Sequence, residues 1–400
     1  MDEAHRAFSP WLTPSTETLE TLTGRSAPLG RAEWAKWRTS EAYSVGIEEE
    51  VMLLDPATWT LAERGDEVLS HAGEALAGRC AAETHEAALE LRTGPHPTVR
   101  EAVAEMGELR QLLVRHLDEL GMAAASCGTY PGELTVPTRV SPSSRYQVIH
   151  RTMRGLARRE PTFALHVHVG VPDSTSAIRL MNRLRAHVPM LLALSASSPF
   201  LNGRETGLAS NRTIVFQGFP RTGVPRRFDS YADWVSTLDL LLRSGAIPEP
   251  TFLWWDVRPQ PRLGTVEVRI MDAQPALSAT ASLAALVQVL ARLELEQGFA
   301  PAGLVGAQEV LAENRFIAAR DGASAELIDP RASARVPVAS LLEEVLAAAR
   351  PHAVALGAVD ELEGLRMLVL EPEDRRQERL AASDGIPILI ADLASRFAET

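Results

Sequence analysis

The 400-residue chain is 46% hydrophobic and 23% charged, the profile of a soluble globular protein with room for one large domain or two ordinary ones. Its 52 acidic against 40 basic side chains give a formal charge of −12, which argues against a general nucleic-acid binder, since phosphate attraction needs a basic surface. Cys80 and Cys127 are its two cysteines, without a CxxC pair, which fits a reducing compartment and excludes a disulfide framework or a thiolate zinc site.

Residues 1–40 mix Ser, Thr and Pro with Trp11, Trp34 and Trp37 and read as an N-terminal extension, partly docked through its aromatics, ahead of a single domain at 41–400. No basic start followed by an apolar run marks a signal peptide, and no stretch approaches the roughly eighteen unbroken apolar residues of a spanning helix. A cytoplasmic protein with no membrane partner is therefore expected. Tyr43–Leu54 (YSVGIEEEVMLL) alternates as a strand, with Val45, Ile47, Glu49, Val51 and Leu53 on one face and Gly46, Glu48 and Glu50 on the other. Glu48 and Glu50 then stand about 6.6 Å apart at roughly 3.3 Å per residue, too far to share a proton but close enough to reach the same hard cations. Acidic runs are usually solvated surface. This one interrupts an apolar, β-branched strand, which favours a site.

After a turn at 55–58, residues 59–63 suit a return strand and 66–78 a helix stopped by Gly78. Ala87–Thr93 alternates again, placing Ala88, Glu90 and Arg92 on one face, with Glu83 near the approach to that strand. Residues 98–120 form an amphipathic helix, 123–130 a short strand, 131–144 a Pro/Ser-rich loop and 145–158 a helix rich in arginine. Phe163–Val171 (FALHVHVGV) sets His166, His168 and Gly170 opposite Leu165, Val167, Val169 and Val171. Two histidines behind which every residue is apolar suggest a polar cavity, although His-x-His alone is a weak metal signal. A helix over 175–197, an arginine-bearing, substrate-facing loop over 210–225 and a helix over 228–246 follow. Thr251–Arg258 reads as an aromatic strand, and Gly264–Asp272 as a strand with Glu267 and Arg269 opposite Val266, Val268 and Ile270. Helices at 279–297, 304–320, 339–356, 359–370, 373–383 and 388–398 complete one α+β domain.

Four candidate strands thus offer polar fronts and apolar backs, consistent with one sheet whose concave face gathers Glu48, Glu50, Glu90, His166, Glu267 and Arg269. Carboxylates crowded in a cleft raise one another's pKa unless cations neutralise them. An oxygen-rich set with one imidazole suits Mg²⁺ or Mn²⁺ better than zinc, and such ions beside arginines hold polyphosphate for phosphoryl transfer. The chain has no GxxxxGK[ST], no GxGxxG after a strand and no GxSxG, so phosphates would be held by metal and arginine rather than by a glycine cradle. A metal-dependent hydrolase using the same Glu/His cluster is a second reading. A non-catalytic nucleotide-binding protein is a third, disfavoured because idle buried charge only costs stability.

Several motifs in order resemble the carboxylate–amine ligase family, often called glutamate–cysteine ligase type 2 and related in fold to glutamine synthetase: GIEEEV (46–51), ELRTG (90–94), HVHVGVPD (166–173), PRTGVP (220–225), WWDVRP (254–259), GTVEVRIMD (264–272) and ENRFIAAR (313–320). The resemblance covers roughly residues 43–395 and implies a glutamine synthetase-like antiparallel sheet funnel with flanking helices. It implies an ATP-dependent ligase with Mg²⁺ or Mn²⁺, small-molecule substrates (ATP, L-glutamate and an amine, most simply L-cysteine) and no nucleic acid or membrane, and it leaves a homo-oligomer open. Glu48, Glu50, Glu83, Glu90, His166 and Glu267 would be metal ligands. Arg269, beside Glu267, would contact the transferred phosphoryl group, and Arg212 or Arg221 would hold a substrate carboxylate. Relatives tend to carry glutamine where this chain has Glu160, an acid that could add a metal ligand.

Overall fold

The computed structural model describes residues 33–399, so Trp11 and the rest of residues 1–32 lie outside it. Seven strands form an antiparallel sheet: β1 (Val45–Leu54), β2 (Cys80–Ala82), β3 (Ala88–Arg92), β4 (Ala123–Ala125), β5 (Ala164–Gly170), β6 (Val257–Gln260) and β7 (Thr265–Asp272). Their order is β6-β7-β5-β1-β3-β2, and β4 pairs with the end of β1. β1 is central because it is long enough to pair β5 along its first half and β3 and β4 along its second.

The apolar backs of β1 and β5 pack on two long helices, α1 (Val99–Glu119) and, later in the chain, Leu277–Glu296. Val45, Val51, Leu53, Leu165, Val167 and Val169 are fully buried there with Leu113, Leu283, Leu286 and Leu290. α1 starts on a reciprocal cap: the Thr98 hydroxyl accepts from Glu101 N, and the Glu101 carboxylate accepts from Thr98 N. Leu277–Glu296 is apolar enough by length and composition to cross a membrane, but its apolar window is 78% buried inside the protein.

Glu49, the acid on the apolar face, is buried under these helices. Its oxygens accept from Arg110 Nε and Nη2, both at 2.8 Å, and from Thr280 Oγ1 at 2.6 Å. Arg110 also donates to the carbonyls of Gln274 and Pro275 and stacks over Phe397. One strand therefore sends alternate carboxylates to opposite fates, an internal clamp behind and an open cleft in front.

Residues 33–44 cross the open end of β5 and the β6–β7 turn. Trp37 Nε1 donates to Val171 O at 3.0 Å, Tyr231 Oη donates to Ala35 O at 2.6 Å, and Trp34 packs against Trp234. The crossing requires glycine twice. A Cβ on Gly170 would lie 2.2 Å from Glu41 O, and one on Gly264, whose φ is +70°, would lie 2.0 Å from Arg38 O.

Several expected elements are shorter or broken. Residues 59–63 make a single bridge, Leu54 to Leu61, in place of a return strand, and the helix expected over 66–78 ends at His71. The strand expected over 123–130 stops at Ala125, and the aromatic strand over 251–258 is a 3₁₀ turn followed by two short strand segments. The arginine-rich helix, α2 (Ser144–Met153), stops where Arg154 takes φ +53°. The segment from 210 begins as a helix, α3 (Asn211–Phe216), and a hairpin pairing 326–329 with 334–337 was not expected.

Candidate active site

The front of the sheet is a lattice set by register. Arg258, Glu267, His168 and Gly46 are successive neighbours across β6, β7, β5 and β1; His166, Glu48 and Arg92 follow in the next row, then Glu50, Glu90 and Ala81. A bulge in β7 between Val268 and Met271 turns Arg269 toward His166, with 3.5 Å between Arg269 Nη1 and His166 Nδ1. The lattice residues other than Gly46 and Ala81, together with Arg269, line a cleft of about 410 Å³, walled by Tyr146 and Ile149 of α2 and by Arg212 and Phe216 of α3. A methyl on Gly46 would meet nothing closer than Gly94 O at 3.7 Å, so no clash requires glycine there.

Two triads of donor atoms lie within 4.8 Å of one another: Glu48, His166 and Glu267, and Glu50, Glu90 and His166. His166 belongs to both. Its Nδ1 is 3.3 Å from Glu48 Oε2 and its Nε2 3.8 Å from Glu50 Oε1, and that buried Nε2 has no hydrogen-bond partner among the described residues. His168 Nε2, 3.4 Å from Glu48 Oε1, is also buried without one. Orphaned imidazole nitrogens among carboxylate oxygens fit hard divalent cations with one or two imidazole ligands. Glu83 lines the same cleft outside both triads; its Oε1 accepts from Thr84, and Tyr146 Oη donates to its Oε2 at 3.3 Å. Glu160 also lines the cleft outside the triads, its Oε1 accepting from Asn202 N at 3.0 Å, so nothing here adds it to the ligand set.

The electrostatics split the carboxylates. Burial raises Glu90 to about 8, helped by Glu48 and Glu83, and burial with Glu83 and Glu90 nearby also raises Glu50. Glu48 and Glu267 go the other way. Burial opposes their ionisation, but His168 and His166 beside Glu48, and Arg258 and Arg269 beside Glu267, hold both well below the usual range. Burial, then the Arg269 charge, depresses His166 to about 3, leaving it neutral and able to act as a ligand. A cleft with protons resting on one set of acids and charge on another is poised to take up cations by exchanging those protons.

Arg269 ion-pairs with Glu267, and its Nε is buried with no partner among the described residues. Arg258 grips the other side of Glu267 through Nε at 2.7 Å and spends Nη1 on the carbonyls of Thr251 and Leu253. Arg212 is inside the cleft wall, but its terminal nitrogens donate to Ile270 O and Arg269 O, leaving Nε as its unpartnered atom. Arg221 lies behind the wall, its guanidinium over the Trp254 ring and its Nε on Phe252 O. His168, Arg258 and Arg92 join the site without having been among the residues expected there; the alternation in HVHVG and ELRTG carries the signal for His168 and Arg92, because residues two apart on a strand share a face.

Comparison with known proteins places this lattice in context. A sequence model of the family described as Glutamate-cysteine ligase family 2 matches residues 44–385. A relative from Rubrobacter xylanophilus, named "Putative glutamate–cysteine ligase 2-3", is 37% identical over 366 residues, 91% of this chain and 99% of its own. Another, from Sorangium cellulosum, with the same name without the suffix, is 37% identical over 360 residues, 88% of this chain and 95% of its own. Among solved structures, the glutamate–cysteine ligase of Francisella tularensis in complex with AMP superposes with a TM-score of 0.64 at 15% identity, covering 91% of this chain and 90% of that one. A bifunctional glutathione synthetase from Pasteurella multocida gives 0.65 at 15% identity, covering 89% of this chain and 52% of that one. The α+β fold expected from the sequence, an antiparallel sheet with flanking helices, is the one these ligases share.

Proposed function

The chain belongs to glutamate–cysteine ligase family 2, and is thereby an ATP-dependent ligase forming a C–N bond; from that premise we propose that it joins the γ-carboxylate of L-glutamate to an amine, most simply L-cysteine, through an acyl phosphate. The observation that carries this reading is the pair of donor triads sharing His166 beside Arg269. A carboxylate resists nucleophilic attack because its charge and resonance disfavour a tetrahedral intermediate. In the proposed reaction a carboxylate oxygen takes the γ-phosphoryl group of ATP and ADP leaves. The amine nitrogen then attacks the carbonyl carbon, the C–O bond to phosphate breaks, and the nitrogen gives up its proton.

No nucleophile from the protein is required, which agrees with a cleft built from acids, imidazoles and guanidiniums. Glu48, Glu50, Glu90, His166 and Glu267 would hold divalent cations, with Glu83 at their margin; the cations would supply charge neutralisation for the phosphoryl oxygens. Arg269, oriented by Glu267, would bind the phosphoryl group in flight, and Arg258 keeps that pair in place. The cleft of about 410 Å³ suits small-molecule substrates.

Purified protein with ATP, Mg²⁺ and glutamate is expected to release phosphate faster when the right amine is added. Metal-dependent hydrolysis that proceeds without ATP would instead support the hydrolase reading, and the absence of turnover across amino acids and small amines would contradict the ligase reading.

A further inference from the structure

Arg92 has no part in the reaction as described, yet its position is unusual. It is the register partner of Glu48 and lies two residues from Glu90, so all three side chains stand on the cleft face. The other cleft arginines on the sheet and its walls spend terminal nitrogens on protein partners: Arg145 on Glu249 and Thr251, Arg212 on two carbonyls, Arg258 on Glu267 and two carbonyls, Arg269 on Glu267. Among the described residues Arg92 donates only its Nε, to Glu90, and its side chain is 44% exposed. The Nε contact fixes the plane of the guanidinium while both terminal nitrogens stay available. Arg262, also without a described partner, sits at the opposite margin, on the β6–β7 turn.

We propose that Arg92 is the specificity residue that receives a carboxylate of the donor amino acid or of the incoming amine. This rests on the ligase reading, which assigns the phosphoryl group to Arg269. Arg92 and Arg269 stand three strand spacings apart, roughly 14 Å at about 4.8 Å per strand, with His166 and Glu48 between them. Arg269 reaches to His166 and pairs with Glu267, while Arg92 is held on Glu90, so the two guanidiniums are anchored on different acids. A second anion, apart from the phosphoryl group on Arg269, fits the free edge of Arg92, and a planar two-donor edge matches a carboxylate. Its exposed position at the rim places that carboxylate on the path by which an amino acid enters.

The test compares substrate pairs differing by one carboxylate, L-glutamate against γ-aminobutyrate and L-cysteine against cysteamine. Binding to full-length protein with Mg²⁺ and a non-hydrolysable ATP analogue is measured for wild type, Arg92→Gln and Arg92→Lys. Wild type is expected to favour the carboxylate-bearing member of at least one pair about tenfold or more. Arg92→Gln should reduce that preference to about twofold or less, Arg92→Lys should restore part of it, and nucleotide affinity and melting temperature should hold. Collapse in the glutamate pair assigns the carboxylate to the donor, and collapse in the cysteine pair assigns it to the amine. Preferences that are absent in wild type or unchanged in Arg92→Gln, or a loss confined to nucleotide affinity, overturn the assignment. Because the readout is equilibrium binding, a protein that binds these compounds but never turns over would refute the ligase reading while still deciding Arg92.

Discussion

Glu267 is gripped by Arg258, Arg269 and Gln260 and is fully buried, which makes it a poor probe of the chemistry it is expected to serve. Glu267→Gln would strand two buried guanidiniums and is expected to cost about 3–5 kcal/mol of stability along with turnover. Glu48 is the cleaner position, since its partners are two imidazoles that tolerate neutrality. Glu48→Gln is expected to lower turnover by at least about a hundredfold while shifting the melting temperature by only a few degrees; near-normal phosphate release would remove it from the cation site. Glu160 gives a prediction in pH. Burial raises its carboxyl from 4.5 to about 7, so the folded state binds this proton more tightly than the unfolded chain. Its contribution to stability is then full below about pH 4.5 and is lost as pH rises through about 7. Glu160→Gln can keep the bond from Asn202 N and removes that loss. At pH 8 the variant is expected to be more stable than the parent by on the order of 1 kcal/mol, after screening at the open cleft, and at pH 4 indistinguishable from it. Thermal melts across that range check the crossover. Alternation alone separated Glu48 and Glu50 from Glu49; it could not name Arg110 as the partner of Glu49, because an arginine within the apolar stripe of α1 looks like any helix residue until the helix is docked.

At the scale of elements, the sheet divides stability from chemistry by face. Arg110 and Glu49 form a closed ion pair with no exposed atoms, and neither touches the cleft. Arg110→Met is expected to destabilise the protein by about 3–5 kcal/mol by leaving Glu49 without its charge partner. Urea melts of Arg110→Met and of Arg110→Met with Glu49→Leu check this, and the double variant should recover much of the loss if the charge is the cause. The break after α2 is a second local cost. Arg154 holds φ +53° with ψ −127°, a conformation that L side chains rarely adopt, while its side chain is exposed. Arg154→Gly is expected to raise stability by about 1 kcal/mol, and a lower melting temperature would show that the side chain matters more than the strain. The long strands were legible because their periods run for eight residues or more. The five-residue β3 and seven-residue β5 were legible too, because their alternation is as regular. Residues 59–63 and 126–130 carry strand-like composition but pair only at single bridges, Leu54 with Leu61 and Thr129 with Thr162.

For the whole molecule, sequence yields the polar fronts of four strands, and folding supplies their order. That β5 and β3 flank β1, and that β7 lies beyond β5, follows from long-range pairing between segments up to 124 residues apart (Val45 with Val169), which no local pattern encodes. The order matters because it sets His166 between Glu48 and Arg269 and places Arg92 on the far side of Glu48. It also separates Arg212 from Arg221, the weaker candidate by sequence for a substrate carboxylate: folding puts the first inside the cleft wall with its fork on backbone carbonyls and the second behind Trp254. In the proposed reaction this face activates a carboxylate by phosphorylating it. The most direct measurement supplies ATP, Mg²⁺, the amine and glutamate labelled with ¹⁸O in its γ-carboxylate, and follows the label into phosphate. One labelled oxygen in each phosphate released with product is the expected result, whereas product formed with unlabelled phosphate would contradict the account.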